Sequence, residues 1–270
     1  MADLLSSPQL DLVRLRAALP SNGLGYPLIY EPSIPSTNTL ALARIADYQR
    51  GLTVLTDAQP AGRGRQGRTW ITLPGQQILL SVVLDLPFAP QWCVIAAAVA
   101  AIDALVQVGV PRDRLAVKWP NDILIDHHKI AGILIETTTA SPNGLVAVVG
   151  IGMNVNGSLT PWPEVAARAT TLRDALEHDH DLDREAIIIA FLSILGAQYQ
   201  QLITDPTTTT TDRLWSRWRE MLLLAQPVTV HQGDDLIAGI AEDVAPDGAL
   251  VLRLQDGQRR LITWGDVALG

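Results

Sequence analysis

The chain has 270 residues, 48% of them hydrophobic, and a formal net charge of −8. This length accommodates one large domain and a small one, while the acidic balance argues against a general nucleic-acid binder, which carries a basic face. No uninterrupted apolar run reaches the length of a membrane span. The single cysteine, Cys93, excludes an internal disulfide, and its apolar surroundings predict a buried thiol in an intracellular, cytoplasmic protein.

Strand and helix patterns alternate in the first part of the chain. Ser36 precedes an apolar-periodic segment and is the expected N-cap of its helix. An alanine-rich apolar segment of helical length comes later and ends at a Gly-Val-Pro turn. Strands are predicted at 27–30, 53–56 and 78–84, and helices at 40–46 and 91–108.

A meander of strands follows, and then helices and a second group of strands. The threonine-rich run at 206–211 predicts a loop before the last helix. Short alternating strands beyond residue 226 predict a small barrel or sandwich. The meander strands are predicted at 115–119, 123–125, 130–137 and 145–149, with turns at 126–128 and 141–144, and the helices at 172–177, 184–201 and 214–224.

Residues 62–70, Gly-Arg-Gly-Arg-Gln-Gly-Arg-Thr-Trp, are here called the arginine loop. Their Gly-x-Gly-x-x-Gly spacing matches the dinucleotide-binding fingerprint, which requires a helix to begin at the last glycine. Pro74 and Gly75 stop such a helix before its first turn is complete, so the dinucleotide interpretation fails. Glycine flexibility and three forked guanidinium groups instead predict a mobile cationic loop that closes over an anionic ligand.

Four other segments place polar groups where chemistry is expected, and each also has a purely structural interpretation. Residues 118–122, Lys-Trp-Pro-Asn-Asp, combine a cation, a rigid turn and a carboxylate, but they also suit an ordinary turn. Lys129 begins a strand in which Gly132 suggests close approach by a ligand, although a solvated lysine is common there. Residues 150–156 offer asparagine amides suited to a purine edge, or only a glycine-rich turn. Residues 36–38 present polar groups to a ligand, or only cap a helix.

The order and spacing of these segments resemble the biotin–protein ligases, also called biotin–[acetyl-CoA-carboxylase] ligases. That resemblance implies an α/β (α+β) fold, with a class II aminoacyl-tRNA-synthetase-like mixed sheet flanked by helices and a small C-terminal β-barrel domain. The implied division is an N-terminal segment 1–26, a catalytic biotin/ATP-binding domain 27–224 and a C-terminal domain 225–270. The residues that carry the resemblance are Ser36-Thr37-Asn38, Gln59 through Trp70, Lys118 through Asp122, Lys129 through Glu136, Gly150 through Asn156, Gly239, Asp247-Gly248 and Gly265-Asp266-Val267.

The resemblance implies a ligation in two steps. Biotin and ATP give biotinyl-5′-AMP and pyrophosphate, and a lysine of the biotin carboxyl carrier protein domain of acetyl-CoA carboxylase then accepts the biotin. Mg²⁺ is expected to accompany ATP rather than to occupy a protein metal site. The loop arginines and Lys129 are cations of the kind that stabilise the negative charge developed in both steps.

The resemblance also assigns roles to residues. Lys129, Arg65 and Asp122 are implied to be catalytic: Lys129 contacts the biotin carboxylate and the bridging phosphate, Arg65 retains the adenylate, and Asp122 orients the incoming amine or accepts its proton. The implied biotin-binding residues are Ser36, Thr37, Asn38, Gln59, Arg63, Gly64, Arg65, Lys129 and Gly132. The implied nucleotide-binding residues are Arg63, Arg65, Arg68, Trp70, Lys118, Asn121 and Asn154.

The sequence departs from the family pattern in two places. Gln66 stands where arginine is frequent, which predicts altered loop electrostatics rather than lost activity. The segment before Pro27 is too short for the winged helix-turn-helix of the bifunctional members, so no DNA partner is expected. No membrane partner is expected either, and a homodimer stays open.

Three alternatives stay open beside this interpretation: a lipoate–protein ligase, a biotin-responsive repressor and a non-catalytic biotin-binding regulator. The arginine pattern argues against the first, and the negative charge argues against the second. Retention of both Lys129 and Asp122 argues against the third. The adjacent His127 and His128 are predicted to be a solvated turn rather than metal ligands.

Overall fold

The computed structural model describes residues 9–21, 23–46, 50–141, 144–205 and 208–269. The strands of the larger unit are β1 (Leu28–Ser33), β2 (Thr53–Ala58), β3 (Gln77–Asp85), β4 (Leu115–Lys118), β5 (Asp122–Ile125), β6 (His128–Ser141) and β7 (Gly144–Asn154). The helices are α1 (Leu12–Ala18), α2 (Thr37–Arg44), α3 (Gln91–Gln107), α4 (Pro163–Ala166), α5 (Leu172–Ala175), α6 (Arg184–Thr204) and α7 (Thr208–Met221).

The seven strands form one mixed sheet in the order β1-β2-β3-β7-β6-β5-β4. The β1–β2 pair is parallel, and the other neighbours are antiparallel. The apolar helix α3 packs on the sheet and against α6 and α7, because its many alanines allow close approach. Helix α2 packs against a smaller buried cluster that includes Val54, Val83 and Val148. Helices therefore flank the sheet, as predicted.

A second, five-stranded antiparallel sheet follows, in the order β11-β10-β9-β8-β12. Its strands are β8 (Gln226–Gln232), β9 (Asp235–Val244), β10 (Leu250–Arg253), β11 (Arg259–Ile262) and β12 (Asp266–Leu269). Their inward residues alternate with exposed ones, which gives this small sheet its own apolar face. The mixed sheet with its separate C-terminal sheet confirms the predicted fold class.

The threonine-rich run differs from the loop predicted for it. Helix α7 already begins at Thr208, so the prediction of a loop through residue 211 is wrong there. Threonine is a weak helix former, but Leu214 and Trp218 are buried on the same helix, and tertiary packing outweighs the local propensity. Residues 206 and 207 lie outside the described residues, as do residues 142 and 143 of the predicted meander turn.

Helix α6 has the length and apolar composition of a membrane-crossing helix. Its buried residues, among them Ile188, Phe191 and Leu195, belong to the main hydrophobic core. Packing against α3 therefore accounts for its apolar character. Cys93 is buried as predicted, and burial raises the pKa of its thiol to about 12.

Candidate active site

A cavity of about 690 Å³ lies where α2, the arginine loop, the β5–β7 strands and strand β12 meet. Every residue assigned a role from the sequence lines it. The lining includes Ser36, Thr37, Asn38, Gln59, Arg63, Gly64, Arg65, Arg68, Trp70, Lys118, Asn121, Asp122, Lys129, Gly132 and Asn154. The fold thus brings together segments that lie more than one hundred residues apart in the sequence.

The arginine loop is a tight reversal rather than the start of a helix. Gly64 N–H donates to the Arg68 carbonyl at 2.7 Å, and Trp70 N–H donates to the Gly62 carbonyl at 2.9 Å. After one short helical turn at 65–67 the chain returns to an extended conformation. The dinucleotide interpretation is therefore excluded by the local structure. Gln66 is exposed at φ 53°, and it is not among the cavity-lining residues.

Each arginine of the loop contacts an anionic or polar group. Arg63 Nη2 lies 2.7 Å from Glu136 Oε2. Arg65 Nη1 donates to Asn121 Oδ1 at 3.1 Å and lies 3.8 Å from Asp266 Oδ1. Arg68 Nη2 lies 2.7 Å from Asp266 Oδ2, but without hydrogen-bond geometry, so this is a contact between charges. An aspartate of the C-terminal sheet thus holds two cations of the loop.

One end of the cavity is formed by a buried hydrogen-bond network. Thr37 donates to Gln59 Oε1 from its main-chain N–H at 2.6 Å and from its hydroxyl at 3.1 Å. The Ser81 hydroxyl lies 2.7 Å from Thr37 Oγ1 and 2.6 Å from Asn38 Oδ1. Asn38 Nδ2 donates to Glu136 Oε2 at 2.8 Å. The network orients several neutral donors and acceptors in advance, which suits a small polar ring.

The network begins where helix α2 begins. Ser36 has extended backbone angles and accepts from the Thr39 N–H at 3.5 Å, so it is the N-cap predicted from the sequence. As a result Ser36, Thr37 and Asn38 are all buried at the helix start. The capping and the ligand-facing interpretations of this segment are both compatible with the structure.

Trp70 lies on a floor made by two glycines. Gly132 and Gly152 are register partners on β6 and β7. A Cβ on Gly152 would lie 2.7 Å from the Trp70 ring, and one on Gly132 would lie 3.3 Å from it. Lys129 Nζ lies 5.5 Å from the ring centroid, within the range of a cation–π interaction. The glycine expected in β6 therefore admits the indole, which in turn contacts Lys129.

Asp122 joins two lysines at the other end of the cavity. Its carboxylate oxygens lie 2.6 Å from Lys129 Nζ and 2.9 Å from Lys118 Nζ. Burial alone raises the pKa of the Asp122 carboxyl, but the charges of Lys129 and Lys118 lower it more, so its pKa lies below the ordinary value. The carboxylate is consequently ionised at neutral pH. It is a strong hydrogen-bond acceptor and a weak base.

The main chain fixes Lys129 from both sides. Its N–H donates to the Arg168 carbonyl at 2.9 Å, and its carbonyl accepts from the Thr170 N–H at 3.0 Å. This pairing lies beyond the edge of the regular ladder and aligns residues 168–170 along the cavity wall. Lys129 is therefore a cation held by the main chain of a strand, in the same cavity as the cations of the arginine loop.

Four residues of this site had no role in the sequence interpretation: Glu136, Ser81, Gln77 and Asp266. Glu136 is the last residue of the motif that begins at Lys129, and Asp266 lies in the C-terminal segment that resembles the family. Both residues could therefore have been chosen as site candidates from the sequence. Ser81 and Gln77 lie in an apolar strand pattern without any signal. His127 and His128 line the cavity, and the described ranges contain no group of three or more His, Cys, Asp or Glu side chains that could hold a metal ion.

Two family models and several known proteins match this chain. Residues 30–156 match the biotin/lipoate A/B protein ligase family, and residues 224–270 match the biotin protein ligase C terminal domain. A biotin–[acetyl-CoA-carboxylase] ligase of Mycobacterium tuberculosis is 34% identical, covering 96% of this chain and 96% of that protein. A ligase of the same name from Paracoccus denitrificans is 32% identical, covering 87% of this chain and 97% of that protein.

Two further comparisons extend the similarity. The bifunctional ligase/repressor BirA of Escherichia coli is 30% identical, covering 88% of this chain and 72% of that protein. The structure of a biotin protein ligase from Aquifex aeolicus in complex with biotin and ATP has a TM-score of 0.73. That structure is 24% identical and covers 90% of this chain and 98% of that chain. At this identity the structural likeness is evidence for the fold.

Proposed function

Because this chain belongs to the biotin–protein ligase family, an enzyme family that ligates biotin, we propose that it joins biotin to a lysine of a biotin carboxyl carrier protein through biotinyl-5′-AMP. One observation carries the proposal. A single cavity joins a buried set of neutral hydrogen-bonding groups to a set of cations from the arginine loop and strand β6. A neutral ring with an anionic tail, such as biotin, matches that division.

The first step forms the adenylate. A carboxylate oxygen of biotin attacks the α-phosphorus of ATP, and the bond to the departing pyrophosphate breaks. Lys129 and Arg65 stabilise the charge that grows on the phosphate oxygens, because both are held near the cavity by fixed partners. Arg63 and Arg68 contribute from the loop, and Lys118 and Asn121 from the turn between β4 and β5.

The two ends of the cavity bind different parts of the ligand. Ser36, Thr37, Asn38 and Gln59 bind the ureido ring of biotin, with Gly64 and Gly132 allowing close approach. Asn154 meets the adenine, and Trp70 packs beside the nucleotide. Support for this division comes from the network of Thr37, Gln59 and Asn38, in which the polar atoms are already oriented.

The second step transfers the biotinyl group. The lysine amine of the carrier attacks the acyl carbon of the adenylate, AMP departs and the amine loses a proton. Asp122 orients the incoming amine with its ionised carboxylate. Its lowered pKa supports a positioning role more than strong proton abstraction. A carboxylate has about four lone-pair sites, so Asp122 can accept a hydrogen bond from the amine while it stays paired with Lys118 and Lys129.

The arginine loop closes over the adenylate. Ligand phosphates compete with Glu136 and Asp266 for the loop arginines, so binding reorganises the existing ion pairs. A closed loop keeps water from the reactive anhydride. Mg²⁺ arrives with the nucleotide, because the cavity carboxylates Asp122, Glu136 and Asp266 are already paired with cations. The proposal includes a cytoplasmic location, where ATP and the carrier are found together.

Isotope exchange between pyrophosphate and ATP tests the proposal. Exchange that depends on biotin, followed by transfer of biotin to a carrier domain, is the expected result. A lipoate–protein ligase, which the first matched family also includes by name, would exchange with lipoate instead. Exchange with neither acid would support the non-catalytic regulator and contradict the proposal. The match of residues 224–270 to a biotin protein ligase domain favours biotin over lipoate.

A further inference from the structure

Gln77 is a buried residue at the edge of the nucleotide end of the cavity. It begins β3 and is the register partner of Asn154 at the end of β7. Both side chains are buried, but only Asn154 lines the cavity. Gln77 therefore influences a ligand through Asn154 rather than by contact.

The main chain fixes the orientation of the Gln77 amide. Its Oε1 accepts from the Leu73 N–H at 3.0 Å, and its Nε2 donates to the Ile71 carbonyl at 3.1 Å. A main-chain N–H can only donate, and a carbonyl can only accept. Exchanging the oxygen and nitrogen of Gln77 would break both bonds, so only one orientation of this amide is compatible with the segment after the arginine loop.

Gln77 in turn fixes the amide of Asn154. The second N–H of Gln77 Nε2 donates to Asn154 Oδ1 at 2.8 Å. On the other side, Asn154 Nδ2 donates to the Thr170 carbonyl at 3.1 Å. A reversed Asn154 would bring its N–H groups against those of Gln77 and its oxygen against the Thr170 carbonyl. Two neighbours of fixed polarity therefore hold Asn154 in one orientation.

The remaining capacity of Asn154 suits adenine. A carboxamide has two N–H donors and two lone pairs, and the two bonds described use one of each. One donor and one acceptor remain for a ligand. At its Watson–Crick edge adenine offers a 6-amino donor beside the N1 acceptor, whereas a 6-oxopurine offers there a carbonyl acceptor beside an N1–H donor. A reversed Asn154 would be complementary to the 6-oxopurine.

We propose that Gln77 is a positioning residue that selects adenine over a 6-oxopurine by fixing the amide of Asn154. This inference rests on the proposed function, in which Asn154 meets the base. ATP and ITP are the suitable probes, because they differ in the donor–acceptor order of that edge. Bidentate amide–base pairs discriminate by roughly 5- to 150-fold, so a preference of that size for ATP is expected in the unmodified protein.

The measurement is kcat/KM for biotin-dependent pyrophosphate release with ATP and with ITP. Gln77→Met removes the donor to Asn154, allows its amide to turn, and should lower the ATP-over-ITP preference at least about five-fold. Gln77→Glu places an acceptor opposite Asn154 Oδ1 and should lower the preference at least as far. If the methionine variant does not fold, the inference is tested by comparing the ATP-over-ITP ratio of the glutamate variant with that of the unmodified protein.

Thr72→Val is the matched control. The Thr72 hydroxyl donates to the Gln59 carbonyl at 2.9 Å and anchors the same segment that Gln77 holds, without contacting Asn154. It should weaken the anchoring of the segment and leave the ATP-over-ITP ratio unchanged. An unmodified protein without preference for ATP, or a folded Gln77 variant with an unchanged ratio, would overturn the inference. Absence of biotin-dependent release with either nucleotide would instead overturn the proposed function itself, and this inference with it.

Discussion

Gly150 leaves no space between strand β7 and Asn38, because a Cβ on Gly150 would lie 2.2 Å from Asn38 Oδ1. The same Asn38 amide lies 2.6 Å from the Ser81 hydroxyl and donates to Glu136. Gly150 is also the register partner of Ser81. A glycine on the sheet thus determines where the polar network at the start of α2 can lie, and with it the proposed biotin end of the cavity.

Gly150→Ala is therefore expected to displace Asn38. Overpacking of a buried site costs about 1–3 kcal/mol, and the displaced amide should weaken biotin binding about tenfold or more. Urea unfolding measures the first effect and calorimetric titration with biotin the second. Gly196→Ala in α6 is the control, because its Cβ would meet Leu24 at an ordinary 3.5 Å. Equal biotin affinity in the Gly150 variant and the control would contradict the role given to Asn38.

Local patterns predicted much of the fold, and the family resemblance supplied the residues expected at the site. The N-cap at Ser36 and the absence of a helix after the arginine loop follow from neighbouring residues, and both are confirmed by the structure. The roles assigned to individual residues from the resemblance stay predictions. All of these residues line one cavity, so the order of the motifs in the sequence indicated which distant segments lie together in the fold.

The residues that the sequence interpretation missed depend on long-range geometry. Asp266 contacts Arg68 across nearly two hundred positions of sequence, and no periodic pattern predicts such a pair. Gln77 resembles any polar residue at the start of an apolar strand, and its importance comes from a register partner on another strand. The start of α7 at Thr208 was missed for a similar reason, because burial elsewhere on the helix outweighs local propensity.

Asp122→Asn is expected to slow biotin transfer more than adenylate formation. The variant keeps the cations Lys118 and Lys129 for the phosphates but removes the carboxylate that orients the amine. Misplacement of a reacting group by about 1 Å costs about 10²-fold, so transfer should fall by about that factor. Single-turnover assays of the two half-reactions give the comparison.

Asp126→Asn is the matched control for that measurement. Asp126 follows β5 closely, but its carboxylate pairs with Arg114 and does not line the cavity. Both half-reactions should keep their rates in this variant. An equal loss of adenylate formation and transfer in Asp122→Asn would show that the carboxylate serves the cavity as a whole and not the second step.

Asp266→Asn is expected to loosen the arginine loop without unfolding the protein. Because the Arg68 side chain is 62% exposed, its pair with Asp266 stabilises the loop by at most about 1 kcal/mol. Tryptic cleavage after the loop arginines should therefore rise by up to about five-fold, as local opening becomes more frequent. Biotin with ATP should protect the loop in both proteins, because the ligand phosphates replace the aspartate.

Glu242→Gln provides the comparison for the loop experiment. Glu242 lies in the same C-terminal sheet and pairs with Arg259 and Arg253, away from the cavity lining. Its loss should leave cleavage of the loop unchanged. If cleavage in the unmodified protein were insensitive to biotin and ATP, closure of the loop over the adenylate would be contradicted.

Arg184→Met is expected to be strongly destabilising. Arg184 Nη1 donates to Asp57 Oδ1 at 2.8 Å, and both side chains are about 95% buried. Removing one partner of a buried pair leaves an uncompensated charge, which costs about 3–5 kcal/mol. The equivalent change Arg14→Met removes a half-exposed pair with Asp183, which solvent screens, and should destabilise the protein far less. Urea unfolding compares them, and similar losses would contradict the burial argument.

The decrease in the free energy of unfolding at acidic pH should depend on Asp122. Its pKa in the folded protein lies below the ordinary value of 3.8, because Lys129 and Lys118 outweigh the effect of burial. The folded state thus binds this proton less tightly than the unfolded state. The stabilisation is complete above the unfolded pKa and is lost as the pH falls through the folded pKa.

Unfolding free energies measured between pH 6 and pH 3 test this dependence. The difference between the unmodified protein and Asp122→Asn should be constant near pH 6 and should narrow as the pH falls below about 4, because protonation makes the carboxyl resemble the amide. For Asp126→Asn, the difference in unfolding free energy from the unmodified protein should narrow less, because solvent screens the exposed pair of Asp126 with Arg114. Parallel curves for the unmodified protein and Asp122→Asn would mean that the two lysines do not lower the pKa of Asp122. The carboxylate would then be a stronger base than proposed, and proton abstraction from the incoming lysine would become its better-supported role.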